Sequence, residues 1–146
     1  RLSLGYPTDD GAVAMMCRFI SESPLETLEP VAAREEIAQA QKLFRQCEVS
    51  EPVMRYIAAL CAATRNPERV QLGVSPRGML ALMRASQAYA AISGRDFVTP
   101  DDVKALAVPV LAHRVILRGL YGKSGEGERF VEELLQKTPV PTELRA

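Results

Sequence analysis

The sequence has no excess charge of either sign. Eighteen Lys and Arg stand against eighteen Asp and Glu, a formal charge of +0, which removes the electrostatic footprint of a general nucleic-acid binder or a polybasic membrane binder. Cysteine is sparse. Cys17, Cys47 and Cys61 are an odd set at wide spacing without a CxxC pair, so neither a disulfide framework nor a zinc site can be read, and a reducing cytoplasm is the expected compartment. His113 is the single histidine, which excludes a two-histidine metal site; beside Arg114 it reads as structural. No apolar run approaches the roughly 18 residues that cross a bilayer, and Arg1–Tyr6 (RLSLGY) has neither the apolar stretch nor the cleavage site of a signal peptide. No internal repeat is present. The chain opens on Arg1 rather than Met, and the expectation is a piece of a longer protein.

What is present suits one globular unit. The 146 residues fit a single domain, and 47% hydrophobic with 25% charged residues supports a real core rather than disorder or a fibrous repeat. Leu2, Leu4 and Tyr6 alternate with Ser3 and Gly5 ahead of Pro7, the pattern of a strand end. Beyond Thr8 the acids Asp9 and Asp10 suit a helix N-terminus. Val13, Met16, Cys17 and Ile20 then fall on one apolar face, which predicts a helix ending near Ser21. A loop between Pro24 and Pro30 leads to a second helix from about Ala33, with Ile37, Ala40, Phe44 and Cys47 on its apolar side.

Ser50 reads as the N-cap of a third helix with Pro52 in its first turn and Val53, Ile57, Leu60, Cys61 and Thr64 on one face, stopped at Asn66-Pro67. Ser75-Pro76 starts a fourth, Ala-rich and therefore central, which runs through Leu80, Leu82, Met83, Tyr89 and Ile92 to Gly94. Phe97 and Val98 form an extended link, and Thr99-Pro100-Asp101-Asp102 carries a capping-box signature. Val103, Leu106, Ala107, Val110 and Leu111 line the fifth helix, where Pro109 should introduce a kink or begin a new segment continuing to Leu117. A last helix is predicted over 126–137 with Phe130, Leu134 and Leu135 on its apolar edge. The expected fold class is all-α, a compact bundle of about five to six helices preceded by a short extended segment.

Gly122-Lys123-Ser124 matches the tail of a phosphate-binding loop, but Leu117 occupies the position of its first glycine and no strand precedes it, so a glycine-rich loop is the better reading. The acid pairs Asp9-Asp10, Glu35-Glu36, Asp101-Asp102 and Glu132-Glu133 read mostly as helix acids. More informative is Leu72–Gly78 (LGVSPRG), which places Arg77 in the first turn of a helix, where the dipole makes a cation unfavourable. Gly73 and Gly78 permit close backbone approach, and Pro76 fixes the start of the helix. Two readings stay open from the residues alone: a rigidly held guanidinium for a phosphate, or a salt bridge to an acid.

The stretch GVSPRG (Gly73–Gly78), followed over Leu80–Leu117 by LALMRASQAYAAISGRDFVTPDDVKALAVPVLAHRVIL, resembles the C-terminal helical lid of the MoxR group of AAA+ ATPases. RLSLGYP and Tyr56–Arg65 (YIAALCAATR) match that group in order and spacing. The resemblance implies that residues 1–7 are the end of the ATPase core and its hinge, and that 8–146 are the lid. It implies that Arg77 is the sensor 2 arginine reaching the γ-phosphate of ATP, with Ser75, Tyr6 and Pro7 near the nucleotide. Mg2+ and the remaining catalytic groups would lie upstream, and the fragment alone would not be catalytic or hold a cofactor tightly. The implied whole is a cytoplasmic homo-oligomer, a hexameric ring, that spends ATP hydrolysis on remodelling or maturing client proteins, with no nucleic acid and no membrane span. Gly78 departs from the group, where alanine is common, and the region beyond Gly119 is less diagnostic. Two rivals remain: a stand-alone helical adaptor presenting an exposed apolar stripe, and a helix-turn-helix DNA reader, for which residues 76–93 offer only Arg77 and Arg84.

Overall fold

A computed structural model describes residues 5–20, 23–119 and 125–141. Its contacts divide the described chain into two compact units on either side of the Ala40–Gln41 bond.

In the first unit, α1 (Asp9–Arg18) begins where Thr8 accepts a hydrogen bond from the Gly11 amide at 3.2 Å, with Asp9 and Asp10 in its first turn. It stops at Arg18, short of the expected end near Ser21, which itself lies outside the described residues. A 3-10 turn at Pro24–Thr27 follows, and α2 (Arg34–Leu43) crosses the division. Glu36 returns its carboxylate to the Ala33 amide at 2.7 Å. Neither helix buries a residue: the predicted apolar face of α1 is present, yet Val13, Met16 and Ile20 stand exposed.

The core belongs to the second unit. Helix α3 (Glu51–Ala63) contributes Val53, Ile57, Leu60 and Cys61 from the predicted face and adds Tyr56. Helices α4 (Pro76–Ile92), α5 (Pro100–Leu111) and α6 (Glu126–Lys137) complete it. Leu60, Leu82 and Leu111 are fully buried, each contributing about 1.5–3 kcal/mol relative to exposure. The face that α4 turns inward is Leu82, Ser86, Gln87 and Ala90. Of the other apolar residues along this helix, Leu80, Tyr89 and Ile92 are exposed. Ser86 and Ala90 on this face are small, which lets α4 approach α3 and α5 closely around Leu82.

One expectation needs correcting. The segment after Pro109 does not continue as helix to Leu117: α5 carries Pro109 internally, ends at Leu111 in a 3-10 turn (Ala112–Arg114), and the chain then extends. There β2 (Ile116–Leu117) pairs antiparallel with β1 (Val70–Leu72), with Val70 opposite Leu117 and an irregularity before Leu72. The β-branched run Val115-Ile116 favours extension, and Val70 supplies a buried partner.

The turn into α5 is locked as its signature predicts. Thr99 and Asp102 form a reciprocal capping box, and the Arg95 guanidinium grips both carboxylate oxygens of Asp102, with Nη1 to Oδ2 at 2.7 Å. Burial opposes ionisation of Asp102, but the bonds from Arg95 and Thr99 prevail and hold its carboxyl below the ordinary value.

Candidate functional site

The loop that begins α4 is fastened to the end of α3. Thr64, fully buried, donates its hydroxyl to the Cys61 carbonyl at 2.6 Å and accepts from the Val74 amide at 2.9 Å. The next residue completes the grip: the Arg65 guanidinium donates to the Val74 carbonyl, Nη2 at 3.2 Å and Nε at 3.4 Å. Both backbone polar groups of the buried Val74 are thereby satisfied. Gly73 passes so close that a Cβ there would lie 2.6 Å from the Thr64 carbonyl oxygen, which is why only glycine fits without a shift.

Ser75 then caps α4, its backbone extended and its Oγ accepting from the Gly78 amide at 3.3 Å. Pro76 and Arg77 occupy the first two helical positions. No acid lies in that turn, and among the described residues the Arg77 guanidinium has no hydrogen bond or ion pair. The salt-bridge reading therefore finds no partner there, while the exposed guanidinium remains free to meet an anion at the positive end of a helix. Gly78 is buried, and an added Cβ would sit 2.8 Å from Val74 Cγ1 and 3.2 Å from Arg114 Cδ. The departure from alanine at this position thus coincides with the stem of Arg114 lying across the first turn of α4. Arg114 is itself pinned by donating Nε to the Val110 carbonyl at 2.9 Å.

Of the residues singled out by sequence, Ser75 and Arg77 share this turn. Tyr6 and Pro7 belong to the other compact unit, where both are exposed and Tyr6 entirely so. Gly122-Lys123-Ser124 lies outside the described residues, as do residues 1–4 of the strand end read at Leu2–Tyr6, whose described part, Gly5 and Tyr6, is not strand. Sequence reasoning missed Thr64, Arg65 and Arg114 as supports of the loop. Periodicity placed Thr64 on a buried face, but no pattern signals a contact between positions nine or thirty-six residues apart.

Two cavities lie elsewhere. One of about 470 Å³ runs between the start of α3 and Pro139–Pro141, and one of about 400 Å³ is lined by Arg69, Arg118 and residues of α6, where Arg69 pairs with Glu133 at 2.8 Å. Neither is lined by the Gly73–Gly78 loop. Among the described residues no group of acids, histidines or cysteines is arranged to hold a metal ion, and no helix is long and apolar enough to cross a membrane.

Residues 62–137 match the AAA lid domain family. Over 147 aligned residues the chain is 37% identical to YeaC of Bacillus subtilis strain 168, an uncharacterized protein, covering all of this chain and 46% of YeaC. It is 37% identical over 107 residues to the protein MoxR of Paracoccus denitrificans, covering 63% of this chain and 32% of MoxR. The fold superposes on a solved structure of a candidate ATPase from Cytophaga hutchinsonii with a TM-score of 0.84 at 23% identity, covering 95% of this chain and 45% of that one. The chain spans less than half the length of these relatives.

Proposed function

This chain belongs to the AAA lid domain family, in its MoxR group, and we propose that it is the part of a longer AAA+ ATPase that closes over ATP and carries the sensor 2 arginine. The observation that carries the reading is Arg77: exposed, without an ion-pair partner among the described residues, and held in a rigid turn at a helix N-terminus. Its site suits a phosphate, since it offers an exposed guanidinium on a capped helix turn with no acid in that turn.

In this proposal ATP supplies the phosphoryl group whose transfer to water releases energy, and Mg2+ is held by the core. Arg77 binds and orients the terminal phosphate and neutralises charge that grows during transfer. Ser75 keeps the turn intact, and Tyr6 with Pro7 stands at the hinge between core and lid, near the base. Once the terminal phosphate has left, Arg77 loses its anion and the lid is free to rotate. By the MoxR resemblance the whole protein is a hexameric cytoplasmic ring that applies this rotation to client proteins. The direct test is ATP hydrolysis by the full-length protein. Turnover is expected from the whole and not from residues 1–146 alone; a folded, assembled full-length protein without turnover would overturn the reading.

One observation favours a second reading. The apolar residues of α1 are exposed, which is what an adaptor helix that docks on a partner protein requires. That reading predicts partner binding independent of nucleotide, and ATP turnover by the full-length protein would count against it.

A further inference from the structure

The loop bearing Arg77 is braced from two sides by arginines that lie far apart in sequence, and neither brace is needed to form α4 itself. On one side Arg65, just past the Thr64 cap of α3, holds the Val74 carbonyl through Nη2 and Nε. On the other, Arg114 lays its stem against Gly78, where Cδ comes within 3.2 Å of the position a Cβ would take, while its Nε is tied to Val110 at the end of α5. Both side chains are exposed, and neither forms an ion pair among the described residues. A stabilising salt bridge therefore does not account for either one. Instead each connects the short segment Val74–Gly78 to the end of a different core helix, one N-terminal and one C-terminal to it.

We infer that Arg65 and Arg114 are positioning residues for Arg77, acting through Val74 and Gly78 rather than by touching the nucleotide. The inference rests on the assignment of Arg77 as the arginine that meets the terminal phosphate. A guanidinium on a long side chain aims well only if its Cα is fixed, because displacement of about 1 Å at a reacting centre can cost on the order of 10²-fold in rate. The Ser75 cap fixes the helix turn internally. Arg65 and Arg114 fix that turn relative to α3 and α5. Thr64 does the same from the interior, but it is buried and its loss would strand the Val74 amide; loss of Arg65 likewise leaves the Val74 carbonyl without its donor, whereas Arg114 can be replaced without stranding a Val74 group, which makes it the cleaner variant.

The experiment is a double-mutant cycle on ATP turnover by the full-length protein, with thermal melting to confirm folding at the assay temperature. Arg65→Ala and Arg114→Ala are each expected to lower kcat by about tenfold with KM changed by less than about twofold, and in the Arg77→Ala background neither should lower kcat further. Arg114→Lys, which retains the stem that packs on Gly78, should recover most of the loss. Losses that add to that of Arg77→Ala would show independent contacts and overturn the inference. So would unchanged kcat in both single variants, whether or not melting falls. Wild-type turnover by Arg77→Ala would instead remove the assignment on which the inference rests, and with it the inference.

Discussion

At the scale of single residues, the tightest constraint around the candidate site is on Gly73. An added methyl would collide with backbone, the Thr64 carbonyl at 2.6 Å, and with the Arg65 stem at 2.9 Å, so accommodation requires movement of the loop rather than a rotamer change. Gly73→Ala is expected to destabilise by about 1–3 kcal/mol, read as a thermal midpoint lowered by about 3–10 °C. An unchanged midpoint would mean that the loop is not seated against α3. The same contacts explain what could be read in advance and what could not. Arg77 announced itself because a cation in a first helical turn contradicts the dipole, and Gly73 and Gly78 because they flank it. Arg65 and Arg114 carry no such contradiction: each is an ordinary surface arginine until the fold brings it to Val74 or Gly78.

Elements were legible where local chemistry marks both ends. Thr99-Pro100-Asp101-Asp102 gave the start of α5, Ser75-Pro76 that of α4, and the period of Phe130 and Leu134 gave α6 over Glu126–Lys137. The ribbon was not legible, since strands of three and two residues are too short for alternation to register and are selected by pairing between Val70 and Leu117. Nor was the inward face of α4, where the polar Ser86 and Gln87 are buried beside Leu82 and Ala90. The α5 start also yields a test. Asp102 accepts from Arg95 and Thr99, and Asp102→Asn removes the charge that strengthens those bonds, an expected cost of about 2 kcal/mol at pH 7. Because the folded carboxyl titrates below its unfolded value of about 3.9, this contribution is complete above that value. It is lost as pH falls through the lower, folded value. Urea midpoints of wild type and Asp102→Asn should therefore differ at pH 6 and draw together as pH falls below about 4 and through the folded value; a gap that does not narrow on acidification would contradict a charge-based lock.

At the scale of the whole molecule, the two compact units differ in kind. The second has a buried core, whereas α1 and α2 of the first bury no residue and leave Val13, Met16, Phe19 and Ile20 about half or more exposed. In the isolated chain, Met16→Glu should change stability by less than about 0.5 kcal/mol, as at any exposed site, measured by urea denaturation. A larger loss would show that α1 packs on this chain. The central claim is that Arg77 meets the terminal phosphate of ATP. The measurement that tests it most directly is ATP turnover by the full-length protein, wild type beside Arg77→Ala, with circular dichroism confirming equal folding. The account predicts an intact bundle and a fall in kcat of about 10²-fold or more; equal turnover by the two proteins would contradict it.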